Sequence, residues 1–180
     1  MIDPASRGVR FGEALMRTLA RRRVAIGFVS AVVVLWLAHP TRRSLAAGAI
    51  VGAAGELIRI WAAGHLEKGR EVTRSGPYRF TRHPLYLGST VMGVGLAMAS
   101  ARATVAAIVV VYLAATLTAA IRREEAHLTE KFGGEYPAYR RGAAAASRRR
   151  FSLRRAMANR EYRAALGLLA VLALLAWKTL

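Results

Sequence analysis

The 180-residue sequence contains no cysteine. That excludes disulfides, a thiolate nucleophile and any cysteine-ligated metal. Acid is scarce too: ten Asp and Glu stand against 28 Lys and Arg, for a formal net charge of +18. Proline is rare, and two of the five prolines fall in the single stretch Ser75–Gly88. No Ser-His-Asp arrangement is readable, and His39, His65 and His127 show no metal-ligand spacing. Gly93-Val94-Gly95 has no strand before it and no further glycine in register, which excludes a Rossmann fingerprint. Those glycines read as places where helices pack closely.

What the chain has is apolar sequence in blocks. Apolar residues make up 54% and mean hydropathy is +0.27, yet 21% of the chain is charged. This combination fits a nucleic-acid binder or a small polytopic membrane protein with basic flanks. The placement of the charge decides. Uncharged apolar runs cover Val24–Ala38, Leu85–Ala101, Ala103–Ile121 and Ala164–Trp177, and Ser44–Gly64 is apolar apart from Glu56 and Arg59. A spanning helix needs about 20 mostly apolar residues. Several runs reach that with their flanks, by tilt and snorkelling basic ends. The arginines lie between the runs and are not interleaved with aromatics on one face, so nucleic acid is not the expected partner. The expectation is an all-α, polytopic membrane bundle of about five transmembrane helices, forming one domain over 1–180.

In order, residues 1–23 carry six arginines, with Phe11, Leu15, Met16 and Leu19 at helical spacing. This predicts a basic amphipathic helix on the membrane surface, not a cleavable signal. The first span follows over Val24–Ala38, and His39–Arg43 is expected to form a tight turn. The second span runs over about Ser44–Gly64 and the third from Pro84. Ser100–Arg102 is a short turn. The fourth span, Ala103–Ile121, continues out of the membrane to Phe132, where Gly133-Gly134 stops it. The segment 141–163 is strongly basic, and 164–180 holds a last apolar helix. Most Lys and Arg lie in the N-terminal segment, the 65–82 loop and the 122–163 segment. The bias of basic residues puts those three on the cytoplasmic side, at an inner or plasma membrane.

Three features carry potential chemistry. The first is Ser75–Gly88. A His83-Pro84 step places His83 at the mouth of the third helix, where free N–H groups and the helix dipole favour an anion. Arg79 and Arg82 add positive charge, Tyr86 lies one turn in, and Gly88 permits close approach. The same residues also fit an interfacial belt holding lipid phosphates. The second is Glu124-Glu125, two adjacent acids closing a long apolar run. They fit either ion pairs with Arg122 or Arg123, or a carboxylate for a cationic or hydroxyl-bearing ligand, one side chain facing inward and one outward. The third is Glu56 and Arg59, three apart inside a span, read as a mutually satisfying buried pair or as a substrate contact.

Gly76-Pro77-Tyr78, Arg82-His83-Pro84-Leu85-Tyr86-Leu87-Gly88, Glu124-Glu125 and Phe132-Gly133-Gly134-Glu135-Tyr136-Pro137-Ala138-Tyr139 together resemble the isoprenylcysteine carboxyl methyltransferase family. That group is itself similar to the phospholipid N-methyltransferases. The match covers about residues 50–140, the methyltransferase core. The resemblance implies a small integral membrane enzyme using S-adenosyl-L-methionine, bound in a cytoplasmic pocket at the membrane edge. By position, Tyr78, His83, Pro84, Leu85, Tyr86 and Glu124 line that pocket, with Arg70 and Thr73 from the preceding loop. The implied reaction is methyl transfer to a carboxylate, amine or thiol on a lipophilic acceptor. Glu125 and Tyr86 are the groups placed to take a proton. Arg122, Arg123, Glu56 and Arg59 are the residues placed to contact substrate. No metal is implied. One position departs: the eukaryotic carboxyl methyltransferases have a substrate-holding arginine where this chain has Ala120. The competing reading is a non-catalytic membrane protein that binds anionic lipid or a partner through its arginine-rich segment.

Overall fold

The computed structural model describes residues 29–143, 145 and 147–180. The surface helix expected over 1–23 and the start of the first span lie outside them. Among the described residues all regular structure is helical, with no strand. Helix α1 occupies 29–37. Then follow α2 (Arg42–Ala63), a 3₁₀ turn at Gly76–Arg79, α3 (Pro84–Ser100), α4 (Ala103–Phe132), α5 (Glu135–Arg140), α6 (Leu153–Ala158) and α7 (Tyr162–Trp177).

Local chemistry sets the boundaries. Thr41 caps α2 in a reciprocal box with Ser44: each side chain takes the other's backbone N–H. Arg42 and Arg43 therefore open the helix; the tight turn is shorter than the expected His39–Arg43. Pro84 sits at the first position of α3. Ala101 turns left-handed after it (φ 52°), and α4 runs unbroken past the acids to Gly133 (φ 50°).

The centre of the bundle is the α2–α3 pair, and glycines set its spacing. A Cβ on Gly95 would collide with the backbone N of Gly52. A Cβ on Gly55 would lie 2.7 Å from the Gly88 carbonyl oxygen and 2.5 Å from the Met92 nitrogen. The two backbones touch, as small residues allow between helices in lipid. At one end of the bundle Ala38, Ala99 and Leu175 form a fully buried cluster. His39 N–H donates to the Ser100 carbonyl at 3.0 Å there, and Lys178 Nζ donates to the carbonyls of Leu35 (2.7 Å) and Ala38 (2.6 Å). The other end gathers the end of α2, the start of α3, the end of α4 and the start of α7.

Two helices, α2 and α4, are long and apolar enough to cross a membrane; α3 and α7 are shorter apolar helices of 17 and 16 residues. Only 11% of the apolar window of α4 is buried inside the protein. A core helix of a soluble protein would be mostly covered. Between α3 and α4 runs an apolar groove of about 630 Å³, walled by Val94, Met98, Val110 and Leu113, with Thr90 and Ile121 among its lining.

Candidate active site at the end of the bundle

The loop between α2 and α3 is built by short-range constraints. Gly76 has φ 55°, and a Cβ there would also run into the His65 ring at 2.6 Å. Ser75 starts the 3₁₀ turn, Pro77 fixes it, and Tyr78 is driven inside (8% exposed). Burial first, and the Glu124 charge second, push the Tyr78 hydroxyl well above its ordinary pKa. The chain then extends to His83, which caps α3 by position but makes no side-chain capping bond. Its ring is aimed elsewhere.

It points to α4. His83 Nε2 donates to Glu125 Oε1 at 3.2 Å, and Nδ1 lies 3.9 Å from Glu124 Oε2. Both acids of the pair thus lie beside one imidazole, Glu125 hydrogen-bonded and Glu124 farther off. Glu125 is the more enclosed acid, at 23% side-chain exposure against 43% for Glu124. Arg82 (3.4 Å) and Arg140 (3.9 Å) complete its surroundings. The Tyr86 ring lies 5.7 Å from that of His83, tilted by 30°.

Helix α5 folds back over this assembly. Tyr139 donates its hydroxyl to the Tyr78 carbonyl at 2.7 Å, and Arg74 pairs with Glu135 at 3.0 Å. Tyr136 is 2% exposed, and burial with the neighbouring Glu125 charge pushes its pKa up to about 12. Two buried polar atoms of the same loop, Ser75 Oγ and Arg74 Nε, have no hydrogen-bond partner among the described residues.

The other expected residues divide. Thr73 is buried, and its hydroxyl accepts from the Glu67 backbone N–H at 3.2 Å, so it braces the loop. Arg70 is exposed, 4.0 Å from Glu67. Pro84 is buried, and the Leu85 carbonyl takes Ser89 Oγ at 3.0 Å. Arg122 and Arg123 are exposed on α4. Of the two readings of Glu56 and Arg59, a mutually satisfying pair or a substrate contact, the first holds only in part. Arg59 Nε lies 3.7 Å from Glu56 but donates to Glu161 at 2.6 Å, and its Nη1 reaches Ser89 Oγ and the Leu85 carbonyl. Neither oxygen of buried Glu56 has a hydrogen-bond partner among the described residues. A partner at the start of α7 offers Arg59 better geometry than one on its own helix.

Glu161 escaped the sequence reading. Its signal was available: it is the single acid in the arginine-rich 140–163 stretch. That stretch also holds a clamp. Arg155 Nε donates to Glu67 at 2.8 Å and its Nη1 to the Gly64 carbonyl at 2.5 Å; Arg149 takes Glu71 at 2.7 Å and Glu67 at 3.4 Å. Asn159 donates to the carbonyls of Ala63 and Leu66, both at 2.9 Å. The end of α2 and the loop that follows it are thereby fixed from the C-terminal segment.

The arrangement offers an uncapped helix N-terminus for an anion, a half-exposed carboxylate for a cation or hydroxyls, and aromatic faces for a cationic centre. Among the described residues no group of three His, Cys, Asp or Glu is placed to hold a metal ion.

The nickel-cobalt-cadmium resistance protein NccN of Alcaligenes xylosoxydans xylosoxydans is 36% identical over 85 residues, 46% of this chain and 39% of that protein. The chain thus covers about two fifths of that relative's length. No solved structure matches it. The phospholipid methyltransferase family profile matches residues 23–135, well over half of the chain and the whole stretch from α1 to the start of α5. With His83, Glu124 and Glu125 brought together inside that match, the chain belongs to the phospholipid methyltransferase family, a family of integral membrane methyltransferases.

Proposed function

We propose that this chain is an S-adenosyl-L-methionine-dependent methyltransferase acting on a lipophilic acceptor, in an isoprenylcysteine carboxyl methyltransferase-like manner. The cofactor pocket lies on the cytoplasmic side, between the entrance of α3, the end of α4 and the 64–78 loop. The observation that carries this reading is the meeting of His83 with both Glu124 and Glu125, beside Tyr78 and Tyr86.

The residues fit the cofactor. Its carboxylate suits the first turn of α3, which has no side-chain cap. Its ammonium or ribose hydroxyls suit Glu124, the more exposed acid. Tyr78 and Tyr86 supply faces for a sulfonium, Leu85 and Pro84 the apolar wall, and Arg70 and Thr73 the loop side of the pocket. When bound, the cofactor supplies an already activated methyl group, so alignment of the acceptor provides most of the rate.

The acceptor's tail belongs in the α3–α4 groove. Thr90, on the groove, donates to the Tyr86 carbonyl one turn away at 3.0 Å. Ile121 precedes Glu124 and Glu125 by a turn. A lipid in the groove therefore ends at the polar site, entering sideways from the bilayer. A carboxylate acceptor needs no base. An amine or thiol must lose a proton, for which Glu125 and Tyr86 are the site's groups; Glu125 already faces His83 and the two arginines Arg82 and Arg140, so its first task is to hold His83. Arg122 and Arg123, exposed on α4, face an acidic head group approaching from the membrane surface. Titrating the purified protein in detergent with S-adenosyl-L-methionine tests the reading; radiolabelled cofactor with membranes identifies the acceptor.

A further inference from the structure

The arginine-rich segment has two faces, and the methyl-transfer reading uses neither directly. Its inner face is the clamp: Arg149, Arg155 and Asn159 bind the end of α2 and the loop after it. Ser152 N–H adds a bond to the Gly64 carbonyl at 3.1 Å. Residues 149–159 are therefore a fixed part of the fold.

Its outer face combines charge with apolar surface. Arg148, Arg150, Arg154, Arg160 and Arg163 are exposed and enter no ion pair among the described residues. Between them Leu153 is 64% exposed and Met157 51%, one turn apart on α6. Free arginines around exposed apolar side chains on a short helix are the composition of a segment lying in a bilayer interface.

An independent feature gives the height of this face. Trp61 lies in the last turn of α2, and tryptophan at the end of a span marks the headgroup level. From Trp61 ring contacts continue to Phe80 at 6.5 Å and to the buried His65 at 6.4 Å, with Phe151 6.0 Å from His65. Phe80 is 81% exposed and Phe151 46%. Phe151 leads straight into α6. These contacts therefore carry the headgroup level from the end of α2 to Leu153 and Met157.

We infer that α6 and its flanking arginines are an in-plane docking surface for the anionic phospholipids of the membrane that the chain spans. Leu153 and Met157 enter the acyl boundary, and the five free arginines take lipid phosphates. The contact is electrostatic, so salt weakens it. The clamp ties this surface to the loop after α2. The surface is separate from the cofactor pocket and does not depend on the methyl-transfer reading.

The absence of cysteine makes the test direct, because one introduced thiol is the sole labelling site. Leu153→Cys and Met157→Cys are labelled with an environment-sensitive fluorophore, and the full chain is reconstituted in bilayers. One set is zwitterionic phosphatidylcholine; the other contains about one-third phosphatidylglycerol. The expected result is a blue shift at both positions in the anionic bilayer, reversed by high salt. A variant with the five arginines changed to glutamine, its unfolding midpoint retained, loses the shift. Unchanged emission in anionic bilayers overturns the inference. So does an equal shift on adding inorganic phosphate to zwitterionic bilayers, which would mark a site for a free anion. A shift that survives the five substitutions overturns it as well.

Discussion

Replacing Arg59 with methionine separates two roles for the charges inside α2. Arg59 is 20% exposed and donates to Glu161, which is 7% exposed, at 2.6 Å. It also reaches Ser89 Oγ and the Leu85 carbonyl. Ser89 keeps its own bond to Leu85, so the substitution orphans little on α3. The loss falls on the acids. Glu161 loses its cation, and Glu56, whose oxygens have no hydrogen bond among the described residues, loses the one positive charge 3.7 Å away. Removing one partner of a buried ion pair costs about 3–5 kcal/mol. At 2–4 °C per kcal/mol for a chain of this size, the unfolding midpoint drops by about 6–20 °C. Arg59→Lys keeps the charge without the fork and recovers part of the loss. Removing all three charges, as Glu56→Gln/Arg59→Met/Glu161→Gln, recovers more than Arg59→Met alone, because no carboxylate is left uncompensated. The assay is thermal unfolding in detergent. An unchanged midpoint for Arg59→Met, with activity lost, would refute the structural role and return Arg59 to the substrate.

Other consequences follow from the same contacts. Gly55→Leu drives a side chain against the Gly88 and Met92 backbone and destabilises by at least about 1–3 kcal/mol, read as a lower unfolding midpoint. Arg155→Ala opens the clamp, and hydrogen exchange at 64–71 rises while exchange in the α3–α4 half stays as it was. The Arg155 hydrogen bond holds the Glu67 carboxyl below its ordinary 4.5. The folded-state pKa is depressed, so this support is complete above that value and is lost as pH falls through the depressed one. Acid should therefore loosen the 64–71 loop below about pH 4.5, and Glu67→Gln should reduce the acid-induced loss of protection there, measured against intrinsic exchange rates.

What the sequence disclosed was local. Thr41, Pro84 and Gly133 act on their own turns, so the boundaries of α2, α3 and α4 could be read within a residue or two. The His83 and Glu124-Glu125 motifs were legible because their residue types are out of place beside apolar runs. What they do to each other was not, since 42 residues separate His83 from Glu125. Which acid the imidazole takes depends on the rotation of α4, which composition does not encode. Glu161 lies 102 residues from Arg59, and Arg155 lies 88 from Glu67. Charges that distant find each other only after the helices pack. An i,i+3 pair such as Glu56–Arg59 is visible at once, yet it is the weaker of the two pairings Arg59 makes.

The central claim is that the end of the bundle around His83 and Glu124 binds S-adenosyl-L-methionine. Calorimetric titration of the intact protein in detergent, beside Glu124→Ala and His83→Ala, tests it most directly. Saturable binding to the intact protein is expected. At least about tenfold weaker binding is expected for each variant, the loss of more than about 1.4 kcal/mol that follows when a hydrogen bond to a charged group is removed. The absence of binding to the intact protein, or equal affinity in both variants, would contradict it.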